Sequence, residues 1–245
     1  MTAESHAGHR TAPSRLGLPM RLLGFGLGVL LLWAGVTQIR AALAIRYSDR
    51  ADAAMIYWSS PAMKRKPNHG EILHVWNLLT RARTLAPDDP THHERLAQLY
   101  LWELATQSPT AKRRRALHDL GLTEVRRVVA EEPGWALAWA ALLVWKAEFE
   151  ELDDEFRIAL ERATTLGQWH FAVHGSVLQA AFPLWDQLSP ADRERVLDTG
   201  VRGLRQYPKL ALPILKSFER LADVCRRVDP SDPLFETSCK PVGPR

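Results

Sequence analysis

The stretch ARTLAPDDPTHHERLAQLY, residues 82–100, decides how this chain is organised. On its N-terminal side, apolar residues recur at helical spacing: Ile72, Val75, Trp76, Leu79 and Ala82. On its C-terminal side the same period continues through Leu96, Leu99, Tyr100 and Leu104. Pro87 separates the two runs, because proline lacks a backbone N–H and clashes with the preceding helical turn. The segment therefore predicts two amphipathic helices joined by a tight turn.

The start of the second helix carries a Thr91-x-x-Glu94 pattern. In a capping box, the hydroxyl and the carboxylate each accept a backbone N–H that the helix itself leaves without a partner. The pattern predicts that Thr91 caps this helix.

The helix–break–helix pattern recurs along the chain and resembles a tetratricopeptide repeat. Residues 125–145 repeat it around Pro133, and a helix over 152–166 breaks at Gly167, 34 residues later, which is the tetratricopeptide period. Further helices are predicted over 170–185, bent at Pro183, from Ser189-Pro190 to before position 208, and over 209–227. The breaks are unevenly spaced and no alternating strand pattern occurs. We therefore predict an all-α fold with a short, degenerate tetratricopeptide-like (TPR-like) solenoid of helical hairpins.

Residues 22–39 form an uncharged run, LLGFGLGVLLLWAGVTQI. As a helix it would span roughly 27 Å, close to the ~30 Å hydrocarbon core of a bilayer. Trp33 and the flanking arginines suit the two interfaces, and Gly24 and Gly28 form a small-xxx-small pair that could bring helices together. We predict a single uncleaved transmembrane helix. A signal peptide cleaved near Ala42-Leu43-Ala44 is the competing interpretation.

The charge of the chain is concentrated around this apolar run. Six arginines in residues 1–50 face only two acidic residues, so this segment carries the whole net charge of +4. The remainder, with 26 basic and 26 acidic residues, is neutral. Basic residues beside an apolar helix fit a membrane-proximal role. A nucleic-acid-binding domain would instead need a basic face on its folded part.

Two cysteines, Cys225 and Cys239, lie fourteen residues apart near the C-terminus. They suit a disulfide that closes a small loop, which needs an oxidising compartment, although two free thiols would show the same spacing. Charge alone leaves the membrane orientation open, because basic residues lie on both sides of the apolar run. The cysteines favour an extracytoplasmic soluble domain.

These features divide the chain into five predicted parts. They are an N-terminal tail (1–21), a transmembrane anchor (22–46), a membrane-exit helix and linker (47–70), the TPR-like α-solenoid (71–228) and a C-terminal tail (229–245).

A narrower resemblance begins at Trp139. The block AWAALLVWKAEFEELDDEFRIALERATTLGQW (138–169), followed by LWDQLSPADRERVL, RGLRQYP and RLADVC, resembles the VpsP-type proteins of bacterial exopolysaccharide gene clusters. The likeness covers roughly residues 75–230. It implies an inner-membrane accessory protein of exopolysaccharide biosynthesis or export whose partners are proteins of a membrane polysaccharide assembly. Together with the cysteines, it predicts a periplasmic soluble domain on a bacterial inner membrane. It implies no catalytic residue. A TPR adaptor in protein secretion or envelope assembly is the alternative.

Several polar clusters invite a chemical interpretation. His170 and His174 have metal-ligand spacing, but no third ligand is evident, and the adjacent His92 and His93 would point apart on a helix. An acidic cluster at residues 148–155 lies at a predicted helix start, where acids complement the helix dipole. The sequence shows no phosphate-binding loop, nucleophile elbow or zinc-finger spacing. No catalytic residue, metal or cofactor is predicted.

A direct contact with a partner or a glycan is the remaining hypothesis for a site. Trp135 follows a Pro-Gly turn and could be exposed for stacking on a sugar, whereas Trp76, Trp139, Trp145 and Trp185 fall at core-like positions. The basic run Lys112, Arg113, Arg114 and Arg115 could contact anionic lipid or polysaccharide. A glycan-contacting module is therefore the alternative to a protein scaffold.

Overall fold

A computed structural model describes residues 17–60 and 65–240, and these ranges are helical with no strand. The predicted all-α class is confirmed. Within the described ranges there are ten α-helices: α1 Gly17–Ser59, α2 His69–Leu85, α3 Pro90–Gln107, α4 Ala111–Glu131, α5 Ala136–Glu148, α6 Asp154–Leu166, α7 Phe171–Ala181, α8 Pro190–Gln206, α9 Pro208–Ser217 and α10 Leu221–Cys225. A 3-10 turn, Phe182–Gln187, follows α7, and a π-helical turn, Phe235–Cys239, lies near the C-terminus.

The predicted anchor and the predicted membrane-exit helix form one continuous helix with two different halves. It runs without interruption through position 46, where the sequence predicts a boundary, and its 43 residues reach about 65 Å. From Ala44 onward one face is buried, at positions 44, 48, 51, 55 and 58, and packs against α2. Between Leu22 and Leu43 the apolar side chains are exposed on all sides. This helix is long and apolar enough to cross a membrane. Most of the predicted tail and part of the linker (1–16 and 61–64) lie outside the described residues.

Consecutive helices pack against one another in antiparallel order. The Arg40 guanidinium of α1 donates to the Thr84 carbonyl at the end of α2 (3.3 Å), and Arg127 near the end of α4 donates to the Pro87 carbonyl (3.2 Å). The Tyr207 hydroxyl after α8 donates to the Trp169 carbonyl after α6 (2.9 Å). Alternate connections therefore lie at the same end of the molecule. We call the end formed by residues 86–89, 132–135, 167–170 and 207 the proximal end, and the opposite end the distal end.

The predicted start of α8 is confirmed, whereas the predicted cap of α3 is wrong. Ser189 caps α8 with Pro190 in its first turn, as predicted, and the helix ends before Pro208. The Thr91 capping box is wrong: α3 begins at Pro90, and the Asp89 carboxylate accepts the Thr91 N–H at 3.0 Å. Asp89 competes successfully because proline is well suited to the first helical position and aspartate to the position before it.

The core is centred on α5. Trp145 is fully buried, and α4 approaches it so closely that a Cβ on Gly121 would lie 2.1 Å from the indole ring. Glycine at position 121 is therefore required for this packing. Of the other three tryptophans predicted for the core, Trp139 and Trp185 are only partly buried and Trp76 is exposed, so the prediction for Trp76 is wrong.

The last predicted helix, 209–227, is broken into α9 and α10. Glu219 between them adopts a left-handed conformation with φ of 57°, which ends α9 and turns the chain. After α10, Cys225 and Cys239 form a disulfide with their Cα atoms 5.4 Å apart. This bond holds the π-helical turn against α10.

Candidate functional site

A groove of about 640 Å³ lies across three alternate helices. Its walls are the faces of α3, α5 and α7 together with the 3-10 turn after α7. The lining positions on α3 and α5 follow helical spacing of three and four, so each helix presents one continuous stripe. The lining includes Glu94, Ala97, Gln98, Leu101, Leu137, Ala141, Val144, Trp145, Glu148, Glu150, Ser176, Gln179, Ala180, Leu184 and Gln187.

The chemistry of this groove suits a polypeptide. Small residues such as Ala97, Ala141 and Ala180 leave space between the helices, while leucine and valine side chains supply apolar contact. Gln98 and Gln179 each offer an amide that can both donate and accept hydrogen bonds, as a peptide backbone requires. A helix or an extended segment with alternating apolar side chains fits such a surface.

The charged residues that line the groove are all acidic. Three carboxylates, those of Glu94, Glu148 and Glu150, line it, and no lysine or arginine side chain is among its described lining residues. Burial raises the pKa of Glu94, which the neighbouring Arg95 opposes. Within the chain, Glu148 is paired with Arg114 and Glu94 lies 3.5 Å from Arg95. Glu150 therefore offers the carboxylate that best suits a lysine or arginine of a partner segment.

Half of the basic run proposed for ligand contact is occupied by internal ion pairs. Arg113 makes a bidentate pair with Glu103, with both N···O distances below 3 Å. The guanidinium of Arg114 contacts Glu148 at 3.0 Å and lies over the Phe149 ring. Lys112 and Arg115 are exposed.

The structure does not bring Trp135 and the basic run together. Trp135 is half-buried just before α5 at the proximal end, whereas the run opens α4 at the distal end. The last 16 residues of α4, about 24 Å along its axis, lie between them. These residues do not form one site.

The acidic cluster surrounds a buried amine. The Lys146 ammonium lies 2.6 Å from both Glu151 and Asp153 and 3.3 Å from Glu155. Burial alone would lower the pKa of Lys146, but hydrogen bonds to Asp153 and Glu151 raise it above its ordinary value. The Arg126 guanidinium lowers the pKa of Glu155. Asp153 also caps α6 by accepting the Phe156 N–H. The cluster stabilises the turn between α5 and α6.

The histidines with metal-ligand or adjacent spacing contact neighbouring groups of the protein. His174 is 2% exposed and donates its Nε2–H to the Gln168 carbonyl at 3.0 Å, while His170 is exposed and stacks on Phe171. His93 contacts the Glu124 carboxylate, which also accepts from Arg83 at 2.7 Å. No group of three or more potential metal ligands occurs among the described residues.

Burial of histidine predicts a loss of stability in mild acid. Burial lowers the pKa of both His92 and His174 below the ordinary value of about 6.5. Below that pH the unfolded chain takes up protons that the native state excludes, so the free energy of unfolding should fall as the pH drops. We expect urea midpoints to decrease from pH 7.5 to 5.5, and His174→Gln to reduce this slope. An unchanged slope in the variant would contradict the assignment to His174.

Sequence reasoning missed the groove residues. A helical stripe of alanine, glutamine and glutamate has the composition of an ordinary solvent-exposed face. Only the assembly of three alternate helices, whose starts are 46 and 35 residues apart, makes these stripes neighbours.

Trp169 was also missed, because it lies in the connection after α6, outside any helix with a recognisable apolar face. It is 77% exposed.

Comparison of the chain with models of protein families, with characterised proteins and with solved structures finds no match.

Proposed function

We propose that this protein is a non-catalytic, membrane-anchored scaffold whose helical body binds a basic segment of a partner protein. The groove formed by α3, α5 and α7 is the observation that carries the proposal. It combines an apolar floor, amide groups and acidic side chains along several helical turns, which is the surface that a peptide or a helix needs.

The arrangement of helices supports a TPR-like solenoid. Antiparallel neighbours alternate along the chain, and α5 and α7 also pack side by side, as do α7 and α9. In such a stack the odd-numbered helices line one surface, so the groove would continue the inner face of the solenoid.

The first helix supports anchoring. Its exposed apolar half has the length and composition of a membrane span, and the Cys225–Cys239 disulfide favours an oxidising compartment for the helical body. We therefore place the protein in a bacterial inner membrane with its body in the periplasm. Anchoring would raise the effective concentration of a membrane-bound partner at the groove.

The process that the scaffold serves is proposed from the VpsP-like sequence resemblance. It assigns the partner to a machine of exopolysaccharide biosynthesis or export. A role in protein secretion or envelope assembly would use the same anchor and groove with a different partner.

Filling the groove tests the scaffold function. Ala141 lies on the groove face of α5, and replacing it by arginine would place a bulky cation where the partner segment binds. We expect partner affinity to fall at least tenfold, about 1.4 kcal/mol. The matched control is Ala116→Arg, on an exposed face of α4 that does not line the groove.

The measurement is affinity purification of the full-length, detergent-solubilised protein and both variants from native membranes, with identification of the bound proteins. Polysaccharide polymerase, transporter or glycosyltransferase components that bind wild type and Ala116→Arg but not Ala141→Arg would support the whole proposal. Secretion components with the same pattern would remove the exopolysaccharide assignment. Partners retained equally by both variants would show that the groove is not the binding site.

A further inference from the structure

A second surface, distinct from the groove, lies at the proximal end. Trp169 and Phe171 are 77% and 54% exposed there. Tyr207 lies beside them, with its ring centroid 6.0 Å from that of Phe171, and Leu166 and Leu210 are also exposed. We call these five residues the aromatic patch.

Hydrogen bonds to its backbone hold the connection after α6 in place. The Gln168 carbonyl accepts hydrogen bonds from the buried His174 ring at 3.0 Å and from the Gln206 amide at 3.3 Å. The Tyr207 hydroxyl donates to the Trp169 carbonyl at 2.9 Å. The backbone of the connection is thus fixed to α7 and α8, and this arrangement leaves the Trp169 ring in solvent.

The direction of α1 indicates what the aromatic patch faces. Arg40 of α1 lies at the level of Thr84, at the proximal end of α2. The uncharged residues 22–39 therefore extend beyond the helical body from the same end that carries the aromatic patch. A bilayer crossed by this part of α1 would face the patch.

The composition of the patch matches the boundary between lipid headgroups and acyl chains. Tryptophan and tyrosine are enriched at that depth because each ring has an apolar body and a polar group. Residues 166–171, LGQWHF, carry no acidic or strongly basic side chain. Arg205 and Lys209 flank Tyr207 in sequence. The other connections at this end carry Asp88, Asp89 and Glu132, so attraction to anionic lipid does not explain the surface.

We propose that the aromatic patch inserts into the interface of the bilayer that α1 crosses and forms a second membrane contact. This inference rests on the proposed membrane anchor. Two contacts, at α1 and at the connection after α6, would hold the helical body in one orientation with its distal end directed away from the membrane.

Depth-dependent quenching in vesicles tests this contact. Since both native cysteines are in the disulfide, an introduced cysteine provides one free thiol for a fluorophore. Full-length Gln168→Cys would be labelled, reconstituted into phosphatidylcholine vesicles and quenched with a lipid that carries a nitroxide at headgroup depth. The control is Gln187→Cys, which is exposed at the distal end. We expect at least threefold stronger quenching at position 168 than at position 187.

Removing the aromatic side chains should abolish the difference. Trp169→Ala with Phe171→Ala, in the Gln168→Cys background, should reduce quenching to the level of position 187. Leu120→Ala with Ile158→Ala removes two exposed apolar side chains elsewhere and should leave it unchanged. Adding anionic lipid should alter quenching by less than twofold, because the contact is aromatic.

A label at Gly35→Cys with an acyl-chain nitroxide separates this inference from the anchor. Quenching at positions 35 and 168 supports both. Quenching at 35 alone would overturn the bilayer contact while leaving the anchor, and would assign the patch to a protein partner. No quenching at 35 would overturn the anchor and the inference that depends on it.

Discussion

Replacing Trp145 by alanine is expected to lower the free energy of unfolding by about 3–5 kcal/mol, the range for truncating a buried tryptophan. The same substitution at Trp169 is expected to change it by no more than about 0.5 kcal/mol, as for most surface positions. The chain thus offers a matched pair in which the chemical change is identical and only the surroundings differ.

The difference arises from packing around α5. Trp145 is fully buried, fills the space left by Gly121 on α4, and stacks on Phe149 with an angle of 7° between the rings. Truncation would leave a cavity between α4 and α5 that rigid helices cannot close, because packed interiors relax only partly. Trp169 has no comparable enclosure.

Urea unfolding of the full-length variants in detergent, followed by helical circular dichroism, measures both values. Equal midpoints for Trp145→Ala and wild type would show that α5 is not the centre of the cooperative core. A large loss for Trp169→Ala would show that this side chain is enclosed, which would also remove the basis of the bilayer contact.

The sequence predicts best where one local signal decides the structure. Ser189-Pro190 defines the start of α8 because the serine oxygen accepts a backbone N–H at Asp192 and proline has a helical φ. The predicted bend at Pro183 is also found, as the 3-10 turn after α7. In both cases the deciding residues are neighbours in sequence.

Prediction is wrong where two local signals compete. Thr91-x-x-Glu94 and Asp89-Pro90 are both valid helix starts, and the earlier one is used. The helix predicted over 209–227 has a suitable period throughout, but Glu219 takes a left-handed conformation that periodicity cannot reveal. A helix after position 46 was predicted, but its continuity with the anchor was missed, because its buried positions, spaced three and four apart, fall in a stretch that also carries charged residues.

The candidate groove could not be predicted because it depends on distances between helices. Ala97, Ala141 and Ala180 lie about 40 residues apart, and each is an ordinary small residue within its own helix. Conversely, Trp135 and the basic run at 112–115 look like ligand contacts in sequence, yet α4 separates them. In both cases the arrangement of the helices, and not the local sequence, decides which residues lie together.

Opening the Cys225–Cys239 disulfide is expected to reduce the free energy of unfolding by about 3 kcal/mol. The bond closes a loop of fourteen residues, and in the chain-entropy model a loop of this size restricts the unfolded chain by that amount. The closed segment belongs to the folded body, because Val228, Leu234 and Cys239 are buried and Arg205 of α8 pairs with Asp232. Loss of the disulfide should therefore destabilise α8 and α10.

The measurement compares urea unfolding of wild type with and without reductant, and the Cys225→Ser, Cys239→Ser double variant serves as the control that reductant should not affect. The reduced wild type and the double variant should share a midpoint below that of the oxidised protein. Identical midpoints in all three would mean that residues 229–240 unfold independently of the helical body. The disulfide would then secure only the C-terminal segment, and the buried contacts of Leu234 would add nothing to the stability of α8.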